Sequence, residues 1–404
     1  IGYLYALPKF HKRTPKQRFI AALSNCTTTQ CSKLLTRVLT LVMNTLRSKD
    51  DAGIATSGIR RFFVVDGYEE VAEFLPRACR DISASRFLYT GDFATMYTTI
   101  PHLDLILKIE HCVKEAVLWH SDQEGINVNR VCFQLAGNSD CVFGSRSPRS
   151  EDVFDATFKV LSVETTMSLV DFLVTNTFIL NGDVLRRQKV GIPMGTNCGP
   201  VLANLYLYAY ESAFIDRLQR NDSAAARAFH MTFRLIDDVL SVGNPNILDY
   251  IYLPAPDFAS PPDVIGGIYP SELKLEDTSI SNSKVHFVGM TITVKDDILC
   301  LDLFDKRDEF PFQVIRFPHM DSSIPICIPY GVFTGGLYRR YRICSSSESF
   351  IRRSVELAVL LVTKGCSRRR IWRLFRRFLE LRTPLRWRRT VCTLCRLFTP
   401  QLYS

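Results

Sequence analysis

Two apolar segments interrupted by aspartate constrain this chain more than any other feature of its sequence. In FRLIDDVLSV, residues 233–242, apolar residues flank Asp237 and Asp238 on both sides, which predicts a β-hairpin with the two acids at its tip. In FLYTGDFATMYTTIP, residues 87–101, a short strand pattern ends at Gly91-Asp92-Phe93 and a turn leads into a helix. Both segments therefore predict a strand end that projects carboxylates into a cleft.

Carboxylates in such apolar surroundings are costly unless a cation compensates their charge. A divalent ion with oxygen ligands is the economical partner, and Mg²⁺ suits both carboxylates and phosphates. Two such ions can activate a 3′-hydroxyl and stabilise a leaving pyrophosphate, provided that each of two strands supplies one Asp. A lone Asp-Asp pair is more often a solvated turn, so the interpretation depends on the other segments of the chain.

Two further segments fit a site that handles nucleotides. In QKVGIPMGTNCGPVLANLYLYAYE, residues 188–211, three glycines bracket two prolines, which predicts a turn where backbone can approach a ligand closely. A helix is predicted to follow, from Val201 to about Phe214. Near the start, Lys9, Lys12 and Arg18 stand among prolines and aromatics and suit a triphosphate. Taken alone, each segment reads as an ordinary loop.

Composition bounds the class of protein. The 404 residues are 47% apolar, enough for two or three structural units. The longest apolar stretch, Ser168–Leu180, contains Asp171 and is shorter than the about 18 residues of a membrane span, so a soluble, non-secreted protein is expected. The 13 cysteines are scattered, and the single CxxC, Cys392–Cys395, has no second pair to complete a zinc site, so free thiols are expected.

The positive charge is concentrated near the end of the chain. Residues 339–389 hold 16 Lys or Arg against three acids, a balance of +13, so the remainder of the +9 chain is −4. Within this region, CSRRRIWRLFRRFLE, residues 366–380, predicts an amphipathic helix with one apolar and one arginine face. A helix that follows a nucleic-acid backbone, a nuclear localisation signal and a membrane-surface helix all remain open. The basic face comprises Arg369, Arg370, Arg373, Arg376 and Arg377.

In this order the segments resemble those of a reverse transcriptase. LPKFHK and QRFI resemble the first two fingers motifs, GDFATMYTTIP motif A, QKVGIPMGTNCGPVLANL motif B, FRLIDDVL motif C, and SISNSKVHFVGMTI motifs D and E. The resemblance covers most of residues 3–300. Within the superfamily the chain is most similar to Penelope-like retroelements, which are related to telomerase, because of LPKxHK, Met194-Gly195 and an R-x-x-D-D form of motif C.

The resemblance implies an α+β fold arranged as a right-hand polymerase, with fingers, a palm built on an antiparallel sheet and a helical thumb. Residues 1–90 would form the fingers and the start of the palm. Residues 91–300 would form the palm, with an insertion around 107–165. Residues 301–404 would form an irregular connector, over 301–345, and a basic helical thumb.

The resemblance also assigns roles to individual residues. The metal ligands would be Asp92, Asp237 and Asp238, with the backbone carbonyl of Phe93. Tyr97 would be the steric gate that excludes a 2′-hydroxyl, so deoxynucleotides would be preferred. Lys284 would be the general acid of motif D, with Lys274 as its rival. Nucleotide binding would fall to Lys9, Arg18, Met194 and Gly195, and the primer grip to Phe287, Val288 and Gly289.

The implied function is RNA-directed DNA synthesis by a retroelement enzyme with two Mg²⁺ ions, or Mn²⁺ in their place. Its partners would be an RNA template, a DNA primer and dNTPs, without a membrane. Gly267-Ile268-Tyr269 has no YIG partner, so it is interpreted as a loop, and any endonuclease would be a separate protein. An intracellular, nuclear location is expected.

Three rival functions remain at this stage. An RNA-dependent RNA polymerase shares the palm, but Tyr97 argues against it. A catalytically idle nucleic-acid-binding remnant of a retroelement is disfavoured by the intact Asp92, Asp237 and Asp238. A telomerase-like end-maintenance subunit would require an RNA-binding N-terminal domain.

Overall fold

The structure, a computed structural model, describes residues 1–9, 16–78, 87–136, 140–145, 158–256, 260–261, 263–296, 298–310, 312 and 314–382. Over these residues the chain is a mixed fold of helices and largely antiparallel sheets. The helices are α1 (Thr29–Ser57), α2 (Tyr68–Ala78), α3 (Met96–Thr99), α4 (His102–Glu124), α5 (Val163–Thr175), α6 (Gly199–Asn221), α7 (Ser223–Ala228), α8 (Ile247–Ile251), α9 (Cys327–Ile343), α10 (Ser347–Thr363) and α11 (Arg368–Arg382).

The strands are short and fall into four sheets. They are β1 (Gly2–Lys9), β2 (Lys16–Ala22), β3 (Leu88–Phe93), β4 (Val131–Ala136), β5 (Cys141–Ser145), β6 (Phe158–Leu161), β7 (Phe178–Asn181), β8 (Val184–Arg187), β9 (Thr232–Leu235), β10 (Asp238–Val242), β11 (Leu275–Asp277), β12 (Lys284–Phe287), β13 (Met290–Lys295) and β14 (Ile298–Leu303). The strand orders are β2-β1-β7-β8, β11-β3-β10-β9, β12-β13-β14 and β5-β4-β6.

The chain divides into two compact units, each built from two separate stretches. The first unit comprises 1–64 and 91–277, and the second comprises 65–90 and 278–404. Compact units are defined by packing, whereas fingers, palm and thumb are functional names, so the three segments inferred from the sequence stay predictions.

The core of the first unit is built around α6. This helix carries Pro200 in its first turn, where a missing backbone N–H costs nothing. Every residue from Val201 to Ser212 is buried, including the polar Asn204 and the charged Glu211, so the helix is enclosed on all sides. Helices α1 and α4 pack against it, and α1 contributes an apolar stripe that includes Leu35, Val42 and Leu46. The sheet that carries β3 and β10 belongs to this unit from Gly91 onward.

Two expectations drawn from the sequence need correction. The stretch 301–345 was expected to be an irregular connector, but α9 occupies Cys327–Ile343. The proline of α9 lies near the start of the helix, where it is tolerated. The apolar residues of α9 pack in one cluster with those of α10 and α11, and this packing overrides the weak helix propensity of its glycines. The polar stretch 122–152 was expected to be a turn-rich, loop-bearing insertion, but it contains strands β4 and β5, while 137–139 and 146–152 lie outside the described residues.

Candidate active site

The structure brings Asp92 and Asp237 together although 145 residues separate them. Strands β3 and β10 are neighbours in one sheet, and the backbone N–H of Phe93 donates to the carbonyl oxygen of Asp237 over 3.1 Å. Both Asp92 and Asp237 are half-buried, and Asp238 is exposed. The two acidic segments therefore meet through adjacent backbone rather than through long side chains.

Strand β11 adds a second acid beside the first. Glu276 lies directly opposite Asp92 in the antiparallel ladder of β11 and β3. Like charges in directly opposed positions destabilise a sheet, and a bound cation would offset this repulsion. Lys274 immediately precedes β11, and its carbonyl accepts from the N–H of Ala94 over 3.2 Å. Because side chains alternate along a strand, Lys274 falls on the same face of the sheet as Glu276 and Asp92.

Asp237 occupies the turn of the β9–β10 hairpin. Leu235 pairs with Asp238, so Ile236 and Asp237 are the two central residues of the turn. Ile236 has φ 55, a conformation that a β-branched residue seldom adopts. The sequence predicted this hairpin with the acids at its tip, but gave no sign of the unusual backbone beside Asp237.

Tyr97 shares the electrostatic environment of Asp237. Tyr97 is the second residue of α3, and it is half-buried. Burial, together with the charge of Asp237, raises the pKa of Tyr97 to about 12, although Arg234 and Arg18 oppose the shift. The phenol therefore stays neutral at physiological pH. The charges of Asp237, Arg234 and Arg18 therefore all act on the Tyr97 hydroxyl.

The Gly-Pro loop of 188–196 is held between Tyr97 and strand β2. The carbonyl of Tyr97 accepts from the N–H of Ile192 over 2.8 Å, and a Cβ on Gly191, at φ 85, would lie 2.4 Å from that same oxygen. On the other side, Met194 accepts from the N–H of Ala21 over 2.8 Å. A Cβ on Gly195, at φ 124, would lie 2.0 Å from the carbonyl oxygen of Ala21. Glycine is required at both positions by backbone conformation and by contact.

A hydroxyl cluster fixes the far end of the same loop. The Ser32 hydroxyl accepts from the N–H of Cys198 over 3.1 Å and lies 2.9 Å from the hydroxyl oxygen of Thr196. All three residues are buried. The loop with Met194 and Gly195 is thus tied to α1, β2 and α3, which are all elements of the first unit.

The basic residues near the chain start lie on the β1–β2 hairpin. Lys9 pairs with Lys16 at its described end, and Arg18 pairs with Leu7. Arg18 is exposed. Lys12 lies outside the described residues, as do Cys392 and Cys395.

The remaining predicted residues belong to the second unit. Lys284 is exposed on β12. Val288 and Gly289 form the two-residue turn between β12 and β13, with φ 46 and 73, and this sign at both positions is typical of a tight hairpin. Phe287 is buried at the end of β12.

Helix α11 has the two faces that its sequence predicts. Ile371, Phe375 and Phe378 are buried in the cluster formed with α9 and α10. The opposite face is exposed and basic, although Arg370 lies 4.0 Å over the ring of Tyr330 and Arg376 is paired with Glu380 at 2.7 Å. The exposed arginines are Arg369, Arg370, Arg373, Arg376 and Arg377.

No group of three His, Cys, Asp or Glu side chains in the described part of the chain is arranged to hold a metal ion by itself. The residues that could contribute oxygen ligands are Asp92 and Asp237, through their carboxylates, and Phe93, through its backbone carbonyl, which are hard ligands of the kind that Mg²⁺ prefers. Over the same residues, no helix is long and apolar enough to cross a membrane.

Comparisons with known proteins support the fold. No family model matches the sequence, and no curated protein matches it. Among solved structures, telomerase from Candida albicans, in complex with the TWJ fragment of telomeric RNA, is similar over all of this chain, at a TM-score of 0.60 and 13% identity. Apo telomerase from Candida tropicalis is also similar over the whole chain, at a TM-score of 0.49 and 12% identity.

The chain spans 62% of the length of each of these two telomerases. At such low identity the likeness to the Candida albicans protein is one of fold. The chain thus has a mixed helix and sheet fold that resembles telomerase reverse transcriptase.

Proposed function

We propose that this protein is an RNA-directed DNA polymerase that transfers nucleotides from dNTPs to a primer 3′-hydroxyl. The observation that carries the proposal is the pairing of β3 with β10, which joins Asp92 to Asp237 with Tyr97 in the same electrostatic environment. The fold likeness to telomerase agrees with this chemistry. We place the chain in a retroelement of the Penelope-like kind, on the motif resemblance.

We propose that these oxygen donors bind two Mg²⁺ ions, with Mn²⁺ as an alternative. Asp92 and Asp237 would hold them, with Asp238 and the carbonyl of Phe93 completing the protein ligands. When bound, such ions lower the barrier by activating the attacking hydroxyl and neutralising charge on the phosphates. Incoming phosphates would supply the remaining oxygens, which agrees with a site that has few protein carboxylates.

The other residues around the acids would select and hold the nucleotide. Arg18 and Lys9, on the β1–β2 hairpin, would bind the triphosphate, with the fork of Arg18 suited to two phosphate oxygens. Tyr97 would close the space needed by a 2′-hydroxyl. Met194 and Gly195 would lie against the nucleotide, in a loop that the hydrogen bond from Ala21 to Met194 fixes to strand β2.

For the proton donor to pyrophosphate, we propose Lys274, with Lys284 as the alternative. Lys274 is on the same sheet face as Asp92, next to Ala94 in the ladder. Lys284 belongs to β12 of the second unit, as do the primer-grip residues Phe287, Val288 and Gly289.

The arginine face of α11 would bind the template–primer backbone without reading sequence. We also propose that the protein is located in the nucleus and that a separate protein supplies any endonuclease activity.

Primer extension tests the proposal against its rivals. RNA or DNA templates are combined with dNTPs or NTPs, in Mg²⁺, with Asp237→Asn as the inactive reference. We expect extension on RNA with dNTPs, abolished by Asp237→Asn. Extension with NTPs alone would indicate an RNA polymerase. Binding of template–primer without extension in any combination would indicate an idle remnant.

A further inference from the structure

A buried ion pair lies directly behind the acidic hairpin. Arg234, on β9, and Glu211, on α6, both have side chains that are 0% exposed. The guanidinium donates to both carboxylate oxygens of Glu211, at 2.6 and 3.1 Å, and also to the side-chain and backbone oxygens of Asn204. In the sequence, Arg234 stands out only as part of the R-x-x-D-D pattern, and nothing near it predicts these partners.

Stability alone is a weak reason for such a pair. Removing two charges from water is costly, and well-packed apolar residues often stabilise a core as much as a buried ion pair does. What an ion pair with a full set of hydrogen bonds adds is one fixed geometry, because any rearrangement leaves a buried charge unsatisfied. The question is therefore which part of the structure this geometry fixes.

One arm of the network reaches the turn that carries Asp237. Nη1 of Arg234 donates to the carbonyl oxygen of Ile236 over 3.1 Å. Ile236 is the residue at φ 55, a strained backbone state that persists only when its surroundings determine it. The same carbonyl belongs to the peptide group that leads into Asp237. Arg234 therefore holds the backbone on which that carboxylate is mounted.

A second arm reaches the strand that carries Asp92. The hydroxyl of Tyr269 donates to Oε1 of Glu211 over 2.9 Å. The ring of Tyr269 packs edge-on against Phe93, with centroids 4.8 Å apart and planes at 84°. The N–H of Phe93 in turn donates to the carbonyl of Asp237. One continuous set of contacts thus touches both acidic segments from the side of the core.

We infer that Arg234, Glu211 and Tyr269 are positioning residues that fix the separation of Asp92 and Asp237 for metal binding. This inference rests on the proposed function. It assigns a role to Tyr269, which the sequence had placed in an unremarkable loop, and to the pair on α6 and β9. None of the three touches the reacting atoms, so each acts through the backbone of Ile236, Asp237 or Phe93.

The test compares Tyr269→Phe with Tyr206→Phe. Tyr206 is a matched control, because its hydroxyl also donates to a half-buried carboxylate over 2.7 Å in the same unit, but that carboxylate, Asp104, belongs to α4 and not to the β9–β10 hairpin. Arg234→Lys is the second variant, which keeps the charge and removes the fork. Steady-state kinetics and amide hydrogen exchange of 232–242 are measured for each.

We expect Tyr269→Phe and Arg234→Lys to lower kcat by about 10- to 100-fold, as outer partners of metal ligands do, and to raise the Mg²⁺ concentration needed for half-maximal rate. KM for dNTP should stay nearly constant, and exchange of 232–242 should quicken. Tyr206→Phe should leave kcat, the Mg²⁺ requirement, KM and the exchange of 232–242 unchanged. Unchanged exchange in both variants would overturn the inference, as would kcat losses equal to those of the control. Exchange needs no activity, so it decides the inference even if the parent protein fails to polymerise.

Discussion

Tyr97 is a neutral phenol held beside a carboxylate. Burial and the charge of Asp237 raise its pKa to about 12, so its proton is retained across the pH range in which polymerases work. The ring, not the ionisation of the hydroxyl, is then the property available for substrate selection. A spacing of five residues after Asp92 identified this residue in the sequence, but not its burial or its charged neighbours.

We expect Tyr97→Ala and Tyr97→Val to reduce discrimination against ribonucleotides by about 10- to 100-fold, the range over which a filled pocket rejects one extra group. Use of dNTPs should change little, because the carboxylates are untouched. Competition between dNTP and NTP in single-nucleotide addition measures this. Tyr97→Phe, which keeps the ring, should discriminate as the parent does.

The pH dependence follows from the same pKa. Raising it to about 12 keeps the phenol protonated below that value, so discrimination should be flat between about pH 7 and pH 9. A fall in discrimination within this window, or a Tyr97→Ala variant as selective as the parent, would show that Tyr97 is not the gate.

Single substitutions distinguish Lys274 from Lys284 as the proton donor. Lys274→Met is expected to lower kcat by about 100-fold or more, the usual contribution of a general acid, with little change in KM for dNTP. Lys284→Met, which removes an equally exposed charge, serves as the matched variant. A large kcat loss in Lys284→Met and none in Lys274→Met would return the role to Lys284, the first choice from the sequence.

Elements with clear periodicity were predictable, and contacts remote in sequence were not. The apolar residues on both sides of Asp237 and Asp238 predicted the β9–β10 hairpin, and the period of 366–380 predicted α11, observed over Arg368–Arg382. Helix α9 was missed because its glycines suggest a loop until the cluster that it joins is known. The partners of Arg234 were missed because Glu211 and Asn204 lie 23 and 30 residues away on another element.

Helix α11 supports a prediction about salt. Replacing Arg369, Arg373 and Arg376 with Gln should flatten the log–log dependence of template–primer affinity on salt by about two to three units, because fewer counterions are released. Products should shorten while single-nucleotide addition is nearly unchanged. Filter binding over a salt series, with gel analysis of products, measures both.

The control for the α11 variant removes the same number of positive charges from the first unit. Arg130, Arg220 and Arg227 are exposed arginines of the first unit, and their triple replacement with Gln should leave the slope close to that of the parent. Equal slopes for the α11 variant and the parent would instead favour the localisation or membrane-surface interpretation of this helix.

At the scale of the whole molecule, each compact unit is discontinuous in sequence. In the second unit, Leu88 donates to Asn282 over 2.7 Å and Thr278 donates to Thr90 over 2.9 Å, so backbone pairs join residues almost 200 positions apart. Local patterns cannot reveal such pairs, which is why the sequence suggested three continuous segments. Motif order, by contrast, gave the residues of the candidate site, because the motifs are short and their chemistry is local.

The central claim is that Asp92 and Asp237 act as one metal site. The most direct test is whether the losses of activity caused by replacing each of them are additive. Single-nucleotide addition is measured for Asp92→Asn, Asp237→Asn and the double variant, with the exposed Asp183→Asn as control. Groups that act as a unit are strongly non-additive, so each single change should cost about 1,000-fold or more and the double no more than either. A loss below about tenfold in either single variant, or a double loss equal to the product of the two, would contradict the claim.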